Sequence, residues 1–171
     1  MALARFQSHI AKNMRFKVEH RVGAPFSSRA IWDVLSDLSR WKEWNTLYPE
    51  IQGLLRIQQK LAIGEAFPGQ PDRVIRPMVV DWVPNEQILW ALSESGGLVK
   101  RIRYIEIEHL NEDDSNCILS NGEVYDGLLG PTVGKARRKW LRKGFEQLNA
   151  DIVARVKAVA EGKAVAEGDR G

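Results

Sequence analysis

Residues 141–156, LRKGFEQLNADIVARV, place Leu141, Phe145, Leu148, Ile152 and Val156 at spacings of 4, 3, 4 and 4, and Val159 continues the series. Side chains at those offsets lie on one face of an α-helix, and most of the intervening residues are charged, polar or small. Upstream, GLLGP supplies Gly130 and Pro131 for a helix N-cap and first position. The pattern predicts one helix from about residue 132 to 159. At 1.5 Å per residue it is on the order of 40 Å long, enough to cross a whole domain. A helix of that length with a single apolar stripe needs one broad surface to lie against.

The rest of the chain supplies that surface. Residues 15–22, RFKVEHRV, alternate: Phe16, Val18, His20 and Val22 on one face, charged residues on the other, which is the pattern of a half-buried strand. Gly23, Ala24 and Pro25 break it, and Ser27 or Ser28 caps a helix carrying Ile31, Val34, Leu35 and Leu38, with Trp32 flanking. A short helical turn follows with Trp41 and Trp44, and Pro49 drives Tyr48 out of helical geometry. From Ile51 to Tyr125 the pattern is β, punctuated by PGQPD (68–72), PNE (84–86), SGG (95–97) and NEDDSN (111–116). We expect six antiparallel strands there, hence an α+β fold of seven strands with two short helices after the first.

The faces expected to point inward are Met78, Val80 and Trp82, then Ile88, Trp90 and Leu92, then Arg101, Arg103, Ile105 and Ile107, then Leu119, Asn121, Glu123 and Tyr125. The last two mix charge with core residues, which a packed sheet avoids because an unpaired buried charge is costly. Ile102, Tyr104 and Leu110, or Ile118 and Val124, could define the inner face instead, so the phase stays open.

Composition bounds function. The 171 residues are 44% hydrophobic and 27% charged, an ordinary globular mix for one domain spanning 15–160. The first 14 residues and the tail 161–171 lack periodicity and read as flexible extensions. MALARFQSHIAKNM has neither an apolar core segment nor a cleavage site, so a cytoplasmic protein is expected. Cys117 is the only cysteine, which excludes an intrachain disulfide, and His9, His20 and His109 are scattered without obvious partners; no metal and no cofactor are expected. GLLGPTVGKA fails as a phosphate loop, since Leu129 and Ala136 occupy required positions. There is no Gly-x-Ser-x-Gly elbow, and no catalytic residue can be named.

Six cations, Lys135, Arg137, Arg138, Lys139, Arg142 and Lys143, crowd nine residues; taking these six from the net +3 leaves −3 elsewhere. KARRKWLRK admits a nucleic-acid or anionic-membrane partner, but the solvated side of an amphipathic helix is the preferred reading.

Several stretches resemble the START/polyketide-cyclase superfamily, also called SRPBCC: APFSSRAIWDVLSD, RWKEWNTLYPEI, RPMVVDWVPNEQILW, NGEVYDGLLGP and KGFEQLNADIVARV, in that order. The resemblance covers residues 15 to about 158. It implies a helix-grip fold, a curved antiparallel sheet wrapped around the last helix, with a cavity between them. It further implies that Trp41 and Trp44 wall one end of that cavity, Trp44 and Asn45 matching the family's Trp-Asn pair. Strand parity would then put His20, Arg103, Asn121, Glu123 and Tyr125 among Trp32, Trp44, Trp90, Leu141, Phe145 and Leu148, an apolar and aromatic pocket with few polar groups. The expectation is a monomer or homodimer that holds a hydrophobic or amphipathic small molecule. Two alternatives stand beside it: a polyketide-type cyclase or dehydratase acting by positioning and acid/base catalysis, and a protein whose partner docks on the basic helix face. Arg103 would bind an anionic ligand oxygen or pair with Glu123, two readings left open.

Overall fold

A computed structural model describes residues 16–168. Strand β1 (Phe16–Ala24) leads into helix α1 (Ser28–Ser36) and a 3₁₀ turn (Leu38–Glu43). Seven strands follow: β2 (Glu50–Gln52), β3 (Ala62–Glu65), β4 (Arg73–Ile75), β5 (Met78–Val83), β6 (Gln87–Glu94), β7 (Val99–His109) and β8 (Cys117–Asp126). Helix α2 (Gly130–Gly168) closes the chain. The α+β class and the antiparallel sheet gripping a long terminal helix are as expected.

The strand count is corrected. The eight strands form two sheets, a five-stranded β1-β8-β7-β6-β5 and a three-stranded β2-β3-β4. Short β2, β3 and β4 form a separate sheet: Pro77, between β4 and β5, has no N–H to continue a ladder, and an isolated Lys60–Met78 bridge stands where one would run. The phase of β5 is corrected too. A bulge between Val79 and Asp81 turns Val79 inward, leaves Met78 exposed and sends Val80 to the opposite face. Trp82 returns to the inner side and stacks on Trp32 at 5.6 Å.

The open phase of the last strands resolves in favour of the charged reading. Arg101, Arg103, Ile105 and Ile107 of β7, and Leu119, Asn121, Glu123 and Tyr125 of β8, are all buried. Ile102, Tyr104 and Val124 make a small second cluster with Val80 and Leu89 on the other face, and Leu110 is exposed.

Helix α2 runs past 160 to Gly168, so the expected disordered tail is helical over 161–168; residues 169–171 and the N-terminal extension 1–14 lie outside the described residues. Its stripe Leu141, Phe145, Leu148, Ile152 and Val156 is buried, each side chain contributing about 1.5–3 kcal/mol. Two glycines bring this helix close to its neighbours. A Cβ on Gly134 would stand 2.4 Å from Phe16 and 2.9 Å from Tyr125, and one on Gly144 would stand 2.5 Å from Phe67. Helix propensity alone favours alanine by about 1 kcal/mol, but contact below 3.0 Å with buried rings outweighs it. Gly144→Ala is expected to lower the unfolding free energy by about 1–3 kcal/mol in urea denaturation; a gain in stability would show that the helix stands farther off.

Candidate functional site

The inner face of the sheet carries two polar systems of different character. The deeper one centres on Arg103, which β7 points into the core where it is 2% exposed. Its Nε donates to Tyr48 Oη at 2.7 Å, Nη1 to the carbonyls of Gly122 at 2.7 Å and Tyr104 at 2.9 Å, and Nη2 to Asn121 Oδ1 at 3.1 Å. The guanidinium lies 4.0 Å from the Phe145 ring centroid, a cation–π contact that partly replaces lost hydration. Asn121 donates in turn to Asn149 of α2, whose Nδ2 bonds His20 Nδ1 at 2.9 Å and the His20 carbonyl at 3.1 Å. Because Asn149 Nδ2 donates, His20 Nδ1 accepts, which leaves the ring proton on Nε2. Burial pushes the Tyr48 hydroxyl up to about 12, so it stays a neutral acceptor for Arg103.

These contacts correct the sequence-based pairing. Arg103 and Glu123 face each other in register, yet Glu123 bonds Arg101 Nη1 at 3.1 Å and Arg103 is satisfied by neutral oxygens. Around Arg103, Tyr48, Trp90, Asn121 and Phe145 are joined by ring, cation–π and hydrogen-bond contacts. Leu141 and Leu148 belong to the helix stripe in the same core. Trp32 is engaged with Trp82, and Trp44 is half-buried beside the fully buried Trp41. Trp41 donates Nε1 to the Leu35 carbonyl, so it acts as packing.

The second system lies toward the start of α2. Arg101 contacts Glu123 and, at 3.0 Å, Glu94; Glu94 also receives Arg137 Nη1 at 3.0 Å and lies 3.7 Å from Arg73, which bonds Glu65 at 2.6 Å. Burial would lower Arg101, but Glu123 and Glu65 outweigh it and hold the guanidinium charged. Burial raises the Glu65 carboxyl above its usual range despite Arg101 and Arg73. Burial, with Glu123 adding, likewise raises Tyr125. Its hydroxyl lies near Glu123 and Arg137, and it, Arg73 Nη2 and Arg101 Nε are buried with no hydrogen-bond partner among the described residues.

This cluster adjoins a cleft of about 350 Å³ lined by Glu65, Phe67, Pro71, Arg73, Arg137 and Trp140, among others. The β3–β4 hairpin supplies one wall and the first turns of α2 the other. Phe67 meets Trp140 edge-on at 4.8 Å. Of the expected site residues, the structure brings Glu123 and Tyr125 to this cluster and leaves the others in the core. Glu65, Arg73, Arg101 and Trp140 were missed, although a signal existed for the first: Leu61, Ile63, Glu65 and Phe67 alternate in one buried phase, with a carboxylate where an apolar residue belongs. Tyr48 and Asn149 were missed because only tertiary contact gives them a role.

The basic run divides. Arg137 and Trp140 turn toward the cleft, while Lys135, Arg138, Lys139, Arg142 and Lys143 are exposed and make no ion pair among the described residues. The reading of His109 as isolated is corrected as well: its ring, Asp114 and Cys117 offer ligand atoms within 4.8 Å of one another.

No protein-family model and no curated protein matches the sequence. Solved structures do match in shape. A START superfamily protein from Mycobacterium smegmatis superposes with a TM-score of 0.64 at 21% identity, over 84% of this chain and 98% of that one. The fold is that of the START superfamily. Other START-fold neighbours are norcoclaurine synthase from Thalictrum flavum, solved with dopamine and hydroxybenzaldehyde (TM-score 0.62, 17% identity, 85% and 87% of the chains), and the di-domain ARO/CYC StfQ of the steffimycin pathway (0.59, 14%, 92% and 54%). Among the described residues no helix is long and apolar enough to cross a membrane.

Two outcomes follow. Tyr48→Phe strips Arg103 Nε of its acceptor and is expected to cost about 1–3 kcal/mol in chemical denaturation; an unchanged midpoint would mean that Tyr48 does not hold the guanidinium. Glu65, with its folded pKa above the unfolded one, contributes stability that is present below the unfolded value, near 4.5, and is lost as pH rises through the folded value. Melting temperature across pH 4–8 should therefore fall more steeply for wild type than for Glu65→Gln; parallel curves would contradict the raised carboxyl.

Proposed function

We propose that the protein binds a small, partly aromatic molecule bearing an acceptor oxygen, in the cleft between the β3–β4 hairpin and the first turns of α2. The observation that carries this reading is the cleft itself: aromatic walls of Phe67 and Trp140, with Arg73 on its lining, whose Nη2 finds no hydrogen-bond partner among the described residues, and Arg101 Nε and Tyr125 Oη, likewise unpaired among the described residues, in the buried charge cluster beside it. Buried donors of this kind are costly unless satisfied. A carboxylate, phenolate or carbonyl oxygen is the group that satisfies Arg73 on the cleft lining, and the guanidinium fork is suited to it. An apolar cleft with a few placed polar groups is the usual form of a small-molecule site. The START fold in norcoclaurine synthase accommodates dopamine and hydroxybenzaldehyde, which supports an aromatic ligand of modest size here.

A cyclase-type reading is favoured by one feature, Glu65. A carboxyl raised above its usual range by burial and lining a cleft is suited to proton transfer. Binding comes first in either case, and acid/base chemistry by Glu65 would be an addition to it.

Binding is tested by titrating the full chain with hydroxybenzoates and hydroxybenzaldehydes under isothermal calorimetry. Trp140 is only half-buried, so Trp140→Ala folds and is expected to weaken binding about tenfold by removing one aromatic wall. Arg73→Ala is expected to weaken carboxylate-bearing ligands more than neutral ones. Equal affinity in wild type and both variants would remove the cleft from consideration.

A further inference from the structure

Strands β7 and β8 meet at a turn whose chemistry is unrelated to the cleft. His109 ends β7, Cys117 begins β8, and the two are cross-strand partners in the register. Between them Asp114, at φ 52°, folds the loop back over the strand ends. Its Oδ1 lies 2.9 Å from His109 Nδ1 and 3.6 Å from Cys117 Sγ, and the three ligand atoms fall within 4.8 Å of one another. Behind Asp114, Ser28 at the start of α1 donates its amide to Oδ1 at 2.9 Å and its hydroxyl to Oδ2 at 3.0 Å. The carboxylate is thus fixed from one side and faces an imidazole nitrogen and a thiol on the other.

We propose that His109, Asp114 and Cys117 form a three-ligand Zn²⁺ site that ties the β7–β8 turn to the start of α1. Zinc bonds of about 2.0–2.2 Å to nitrogen and oxygen and about 2.3 Å to sulfur place tetrahedral ligand atoms about 3.3–3.7 Å apart. The Asp114–Cys117 separation of 3.6 Å already fits, and the Asp114–His109 separation needs to open by about 0.5 Å. A mixed sulfur, nitrogen and oxygen set selects zinc or its neighbours over calcium and magnesium, which take oxygen alone. On binding, the thiol proton leaves to solvent, the imidazole proton moves from Nδ1 to Nε2, and Nδ1, Sγ and Oδ1 each give a lone pair to the ion. One proton is released per ion bound, and the two hydrogen bonds onto Oδ1 from His109 and Cys117 are replaced by metal bonds. Ser28 becomes the outer group that orients the carboxylate, as metal-bound carboxylates require. His109 and Asp114 are partly exposed, which leaves the fourth position to water.

Co²⁺ serves as the spectroscopic probe on the full chain. Wild type is expected to develop the visible bands of a four-coordinate ion together with a thiolate-to-cobalt charge-transfer band, and stoichiometric Zn²⁺ should abolish both. Cys117→Ser should lose the charge-transfer band. His109→Ala, at an exposed position, should fold normally, bind at least tenfold more weakly and lose any rise in melting temperature that Zn²⁺ gives wild type; Ser28→Ala should weaken binding about tenfold. Absence of a charge-transfer band in wild type at saturating Co²⁺ would overturn the site. So would a band that persists in Cys117→Ser, or a Zn²⁺-induced rise in melting temperature retained by His109→Ala.

Discussion

The burial of one guanidinium organises this molecule. Taking an arginine out of water costs several kcal/mol even after relaxation, and the cost is offset only when nearly every donor finds an acceptor. Arg103 meets that condition with four neutral oxygens and an aromatic face drawn from several parts of the chain: Tyr48 beyond the 3₁₀ turn, the Tyr104 carbonyl of β7, the Gly122 carbonyl and Asn121 of β8, and Phe145 on α2. Sheet, helix and N-terminal turn must therefore stand at fixed separations for the charge to be tolerated. Apolar packing alone would accept more slack, since volume-conserving rearrangements of a core cost little.

Two residues along the same strand face, the physics changes. Arg101 is also buried, but its neighbours are carboxylates, and Glu65, Glu94 and Glu123 share Arg73, Arg101 and Arg137 without completing every bond. The deep network is neutral around its cation and geometrically closed. The network near the cleft is ionic and, among the described residues, retains unused donors. Strand pleating brings both onto one face, and Phe67 and Arg73 from the short hairpin β3–β4 stand at the cleft while Tyr48 is buried against Arg103. Gly144 lets Phe67 approach α2 closely, and Trp140 one turn earlier completes the wall.

Much of this was legible in order and type. The helical stripe from Leu141 to Val159, the alternation of Phe16 to Val22 and the capping serine at residue 27 are local patterns, and each appears where its period requires. The inward phase of Arg101, Arg103, Glu123 and Tyr125 was also readable, because parity is a property of the strand itself. Parity does not say what opposes a side chain. Arg103 and Glu123 share a register position yet bond elsewhere, since Tyr48 and the Gly122 carbonyl reach the guanidinium from outside the pair.

What the chain determines alone, then, is periodicity: which residues are helical or extended, where turns fall, and which side chains share a face. The tertiary structure decided the partners, the bulge that turned Val79 inward, the division into two sheets and the cleft beside Glu65. It also brought His109 and Cys117 together across a turn. The reason is that local sequence fixes backbone dihedrals over a few residues, whereas ion pairing, close ring contact and ligand-sized space depend on distances between segments far apart in the chain, set only when all of them pack at once.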